Sequence, residues 1–196
     1  MADMKIIVSS LKGGVGKSTT TVYLAAAAVQ RGYDPVTIVD ADPQASAAEW
    51  LELAPVEGIT VIEAPSERTA TRALTRTEGL VIADTPPGDE RITQSTIALA
   101  DAVIVPTRAG GVEYSRVAAT LELIPSTTPR GVVITSARLG TNDLEAALAW
   151  WKQQNVEVWG VIPERVTIAA GPEARLSREG LRFYDAVLKR AMRGWL

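Results

Sequence analysis

The chain has 196 residues, 46% of them apolar and 22% charged, and at about 150 residues per domain that length predicts one domain, 1–196, with enough core to exclude wholesale disorder. Cysteine and histidine are both absent. Their absence excludes disulfide frameworks, thiolate metal centres, cysteine nucleophiles, Ser-His-Asp catalysis and imidazole ligands, so carboxylates, lysines, hydroxyls and backbone dipoles are left to carry any chemistry. The net charge of −3 divides unevenly, with seven basic and four acidic residues in 161–196, and neither a membrane-spanning apolar run nor a basic signal-peptide start is present, so a cytoplasmic protein with one polyanion-compatible face is the expectation.

Short β-branched runs alternate with helical patterns along the chain. Strands are predicted over 4–9, 35–40, 59–63, 79–84, 101–107, 131–136 and 156–162. Helices are predicted over 17–31, 44–53, 66–77, 89–99, 112–123, 142–154 and 177–193, with stops at Gly32, Pro55 and Pro125. Consecutive apolar positions such as Val103, Ile104 and Val105 suit strands covered on both faces. The alternation predicts an α/β fold, a doubly wound, mostly parallel sheet flanked by helices.

The segment from Leu11 to Thr20, Leu-Lys-Gly-Gly-Val-Gly-Lys-Ser-Thr-Thr, falls between the first strand and the first helix. Gly13, Gly14 and Gly16 let the backbone wrap so that successive N–H groups converge on an anion, and the helix N-terminus adds its positive dipole end. Lys17 places an ammonium among the terminal phosphates of a nucleotide, and Ser18 offers a hydroxyl to Mg²⁺. The candidate nucleotide contacts here are Lys12, Gly13, Gly14, Val15, Gly16, Lys17, Ser18 and Thr19. Where the general phosphate-loop pattern expects a further glycine, five residues before Gly16, the chain has Leu11. Two later strands end in carboxylates: Asp40, followed by Asp42, and Asp84. The carboxyl edge of an open α/β sheet is where its ligands bind. Asp42 could equally cap the helix after Pro43.

The motif from Lys12 to Thr19 resembles the deviant Walker A loop of the ParA/MinD ATPase family. The resemblance implies a P-loop NTPase fold that takes ATP and Mg²⁺, and it gives Lys12 a second task, reaching across an ATP-bound homodimer to the partner's phosphates. Val36 to Asp40 with Ala41-Asp42-Pro43-Gln44 is similar to the family's Walker A′ segment. There the resemblance implies that Asp42 orients the attacking water and that Asp40 belongs to the Mg²⁺ outer shell or to switch I. Gly79 to Asp84 with Thr85-Pro86-Pro87-Gly88 resembles Walker B and switch II, which implies that Asp84 holds Mg²⁺ through water and that Gly88 reports the γ-phosphate. The implied catalytic set is Lys12, Lys17 and Asp42, and the implied metal set is Ser18, Asp40 and Asp84. Pro163 and Arg165 are implied adenine neighbours, although a proline after a strand is also ordinary punctuation.

An aspartate of ordinary pKa is a poor base at neutral pH, so slow hydrolysis stimulated by a partner is the expectation. Missing cysteines exclude nitrogenase-iron-protein-like and amidotransferase-like relatives. The short length, with nothing before Lys5 to form a helix-turn-helix extension, favours a small ParA type: nucleoid-associated, binding DNA non-specifically, and working with a centromere-binding or ParB-like protein to segregate or position DNA. In the last predicted helix Leu181, Tyr184, Leu188, Met192 and Trp195 recur at helical spacing among arginines. A core-docked helix, a DNA surface carrying Arg165, Arg175, Arg178, Arg182 and Arg190, and an interfacial membrane helix tipped by Trp195 and Leu196 all fit that pattern. The membrane reading makes the alternative function a MinD-like membrane-cycling ATPase, and a nucleotide-binding adaptor without catalysis is a third class. Trp50, Trp150 and Trp151 read as packing residues, and Asp89 to Arg91 as a helix start.

Overall fold

The computed structural model describes residues 3–110, 114–173 and 175–195. Seven strands form one sheet: β1 (Met4–Val8), β2 (Val36–Asp40), β3 (Ile59–Glu63), β4 (Leu80–Asp84), β5 (Ala102–Arg108), β6 (Arg130–Ala137) and β7 (Val158–Pro163). Their order is β3-β2-β4-β1-β5-β6-β7, and every pair is parallel. The helices between them are α1 (Lys17–Gln30), α2 (Ser46–Leu53), α3 (Glu67–Arg76), α4 (Glu90–Ile97), α5 (Tyr114–Glu122) and α6 (Asn142–Gln153), and α7 (Val166–Ala169) and α8 (Arg178–Ala191) follow β7. The expected start of the fifth helix at 112, and Leu196, lie outside the described residues.

Strand geometry explains the consecutive apolar runs. Neighbouring side chains leave a strand on opposite faces. Ile6 and Val8 therefore enter one layer with α1, α2 and α8, while Ile7 enters the other with α3 to α6. Every residue of β2 and β4 is buried, as is every residue of β1 except Lys5 and of β5 except Arg108. With each face covered, the carboxyl edge is where a ligand can reach the middle of the sheet.

The last helix is docked on the core, the first of the three readings of its sequence and one compatible with a DNA surface. Leu181, Tyr184, Val187, Leu188, Ala191 and Met192 are buried, because α8 packs across α1 and β7. The approach is close: a Cβ on Gly180 would come within 2.5 Å of the Tyr23 ring. The apolar stripe thus faces the core, and beyond it Trp195 is 38% exposed. Trp50 and Trp151 are core residues, as expected, and half-buried Trp150 stacks on Tyr114 at 4.6 Å. Asp89 caps α4 by accepting the N–H groups of Arg91 and Ile92.

Candidate functional site

Between β1 and α1 the chain turns through left-handed conformations at Gly14 (φ 72°) and Gly16 (φ 84°), which a β-carbon would strain. Outside groups hold the loop. The Leu11 N–H donates to Thr120 Oγ1 at 3.1 Å, and Thr135 Oγ1 donates to the Val15 carbonyl at 2.8 Å. Lys17 folds back over the loop and donates from Nζ to the Lys12 carbonyl at 3.2 Å. Burial holds the Lys17 pKa below the ordinary lysine value, with the Asp84 and Asp42 carboxylates opposing that shift.

Asp84, at the end of β4, is completely buried, and neither of its carboxylate oxygens has a hydrogen-bond partner of good geometry. Burial pushes its pKa up to about 7; the nearby Ser18 hydroxyl and the Lys17 ammonium favour the charged form, while Asp40 and Asp42 disfavour it. A buried carboxylate with both oxygens free, beside a serine hydroxyl, is costly unless something completes it. An oxygen-seeking divalent cation fits that donor set.

Asp40 and Asp42 are differently employed. Asp40 Oδ1 accepts the Asp42 N–H at 3.1 Å, and Oδ2 accepts the N–H groups of Ala47 and Ala48 at 3.0 and 2.9 Å. Burial raises its pKa and these amides pull it back. Asp40 is therefore the residue that caps α2, and both its oxygens are already engaged. Asp42 accepts the Gln44 N–H at 2.9 Å, a local turn contact, and faces the open space.

That space is a cleft of about 550 Å³ at the carboxyl edge of the sheet. Among the residues singled out from sequence, Gly14, Gly16, Lys17, Ser18, Thr19, Asp42, Pro163 and Arg165 line it. Val15, Asp40 and Asp84 lie buried outside its lining, and Lys12, Gly13 and Gly88 are also not part of that lining. Gly13 packs on the segment after β4, since a Cβ there would sit 3.7 Å from Pro87. Arg165 is held by Glu179 at 3.3 Å on the rim. Arg108, Thr135, Ser136, Glu164 and Tyr184 also line the cleft, and no motif marked them. Four come from the ends of β5, β6 and β7 or just beyond, so strand-end position was the available signal; Tyr184 was hidden within the apolar stripe of α8.

A parallel α/β sheet whose first strand runs through a glycine loop into a helix, with a buried lysine and strand-end aspartates around one cleft, defines a P-loop nucleotide-binding protein. The chain belongs to the CobQ/CobB/MinD/ParA nucleotide-binding domain family, whose sequence model matches residues 6–177. It is 31% identical to the chromosome-partitioning ATPase Soj of Thermus thermophilus, in an alignment covering 86% of this chain and 84% of that one. It is 35% identical to maintenance of carboxysome distribution protein A of Gloeobacter kilaueensis, over 63% of this chain and 59% of that one. The fold is that of a plasmid partition protein from Borrelia burgdorferi bound to AMPPNP, with a TM-score of 0.79 at 16% identity, covering 98% and 99% of the two chains.

Proposed function

We propose that the protein is a ParA-type ATPase that binds ATP and Mg²⁺ in the cleft, dimerises on ATP, binds DNA non-specifically as that dimer, and hydrolyses ATP slowly until a ParB-like partner accelerates it, so segregating or positioning a DNA cargo. The observation that carries the reading is the conjunction of buried Lys17 with the unpartnered Asp84 carboxylate beneath a glycine loop that opens on the cleft. The relatives named for chromosome partitioning and carboxysome distribution favour a partition or positioning task.

The chemistry asks the protein for positioning and charge stabilisation. Gly14 and Gly16 turn the loop so that its amides, together with those at the start of α1, meet phosphate oxygens. Lys17 already lies over the loop and exchanges its bond to the Lys12 carbonyl for the terminal phosphates. Asp42, open to the cleft, orients the water that attacks the γ-phosphorus, and Asp40 holds Asp42 by its N–H. Ser18 and Asp84 are the residues that would hold Mg²⁺, which would supply charge neutralisation to the phosphates. Lys12, whose ammonium has no ion pair among the described residues, is the group that crosses to the partner's nucleotide. Pro163 and Arg165, which line the cleft, are the residues that would meet the base.

The test is nucleotide binding and light scattering of the parent and of Lys17→Ala, with ATP and with a non-hydrolysable analogue. The parent binds and becomes a dimer. Lys17→Ala loses at least about tenfold in affinity, the scale of a charge-assisted contact, and stays monomeric. A parent that remains monomeric at saturating analogue overturns the dimer, and equal affinity in the two proteins overturns the site.

A further inference from the structure

The glycine loop is aimed from outside, by a residue on β6. Thr135 is buried, and its Oγ1 lies 2.8 Å from the Val15 carbonyl and 3.0 Å from the Thr107 carbonyl of β5. The hydroxyl has one proton to give, and both oxygens within its reach are backbone carbonyls. That proton is shared between the nearer Val15 carbonyl and the Thr107 carbonyl, and the hydroxyl ties the loop to β5 and β6. Val15 is itself 1% exposed, so its carbonyl has no ready recourse to water, and a buried carbonyl without a partner is costly.

A trans peptide is planar, so the carbonyl of one residue and the N–H of the next point in opposite directions. Holding the Val15 carbonyl on Thr135 turns the Gly16 N–H away from Thr135, and Gly16 is itself part of the cleft lining. Gly16 is left-handed (φ 84°, ψ 33°), and a glycine allows that peptide plane to turn over at little steric cost. The Thr135 methyl stands beside Gly16, since a β-carbon added there would lie 3.7 Å from Thr135 Cγ2.

We infer that Thr135 is a positioning residue for phosphate binding: its hydroxyl clamps the Val15–Gly16 peptide so that the Gly16 N–H is presented to the nucleotide phosphates. The inference rests on the nucleotide-site reading given above. It assigns Thr135 no contact with the base and no part in proton transfer.

The experiment displaces a fluorescent ADP analogue with ADP, with tripolyphosphate and with adenosine, in the parent, Thr135→Val, Thr135→Ser and Lys17→Ala. Thr135→Val keeps the shape and removes the donor, and it weakens ADP and tripolyphosphate by about tenfold, as expected for one hydrogen bond misdirected from a charged ligand, while leaving adenosine unchanged. Thr135→Ser keeps the donor and stays within about twofold of the parent. Thermal melting without ligand accompanies each variant, and the two Thr135 variants are compared below the lower melting temperature. Unchanged ADP affinity in Thr135→Val overturns the clamp, and so does a loss shared equally by adenosine, which marks a base contact, or a failure of Thr135→Ser to recover. The outcome for the nucleotide reading is separate: it falls if the parent fails to bind the analogue or if Lys17→Ala binds as the parent does.

Discussion

At the scale of single residues, Asp84 is fully buried and neither of its carboxylate oxygens has a hydrogen-bond partner of good geometry. Its folded pKa, pushed up to about 7, stands above the ordinary aspartate value near 4. Between those two values the folded state binds a proton that the unfolded chain releases, so stability is fully present below about pH 4 and is lost as pH rises through about 7. In metal-free protein, Asp84→Asn removes that charge. Chemical denaturation in a chelator is expected to show the variant gaining on the parent by a few kcal/mol at pH 8 and by less than half as much at pH 5. A gap of equal size at both pH values refutes the raised pKa. Sequence alone made the strand-end position of Asp84 legible, together with the glycines and Lys17, because a short contiguous motif carries them. It did not show that both carboxylate oxygens lack partners, or that Thr135, 120 residues from Val15, reaches the loop. Contacts of that range are fixed by strand pairing and leave no local pattern.

Among the elements, β1 to β7 and the long helices were readable because period and punctuation agree; α1, for example, runs to Gln30 and is followed by Gly32 in a left-handed conformation. The start of α2 differs from the sequence expectation. The expected helix from 44 begins at Ser46, since Asp42 draws Gln44 and Ala45 into a turn and Ala45 is itself left-handed (φ 50°). The cap also comes from an unexpected place, Asp40, seven residues before Ala47, where a sequence rule looks only to the adjoining residue. Four-residue α7 escaped notice because one helical turn has no period to detect. Asp40→Ala strips an acceptor from three backbone N–H groups and is expected to cost about 2–3 kcal/mol in urea unfolding. Asp42→Ala breaks one local turn bond and is expected to cost less than about 1 kcal/mol. Similar losses in the two variants remove the case for Asp40 as the cap of α2.

On the scale of the whole molecule, the basic tail expected from sequence is partly neutralised by folding. Arg190 and Arg193 both reach Glu157, before β7, and Arg31 and Lys189 share Asp185. Arg165 is paired with Glu179. Sequence could count these charges but not pair them, because Arg190 and Glu157 stand 33 residues apart and meet only where α8 lies on β7. Arg175, Arg178 and Arg182 are exposed and have no ion pair among the described residues. Of the five arginines considered for DNA, these three carry charge that a phosphate can take without first displacing a carboxylate. Binding of the ATP-loaded protein to a duplex of unrelated sequence is therefore expected to weaken steeply with salt, and the triple substitution of Arg175, Arg178 and Arg182 by Ala to lower the slope of log K against log salt by about 3, close to 0.9 per lost phosphate contact. Replacing Arg190, which lies outside the cleft lining, is expected to change the slope by less than about 1, since it is partly discharged by Glu157. If Arg190 proves to carry the salt dependence and the unpaired arginines do not, the DNA face lies elsewhere than on the start of α8.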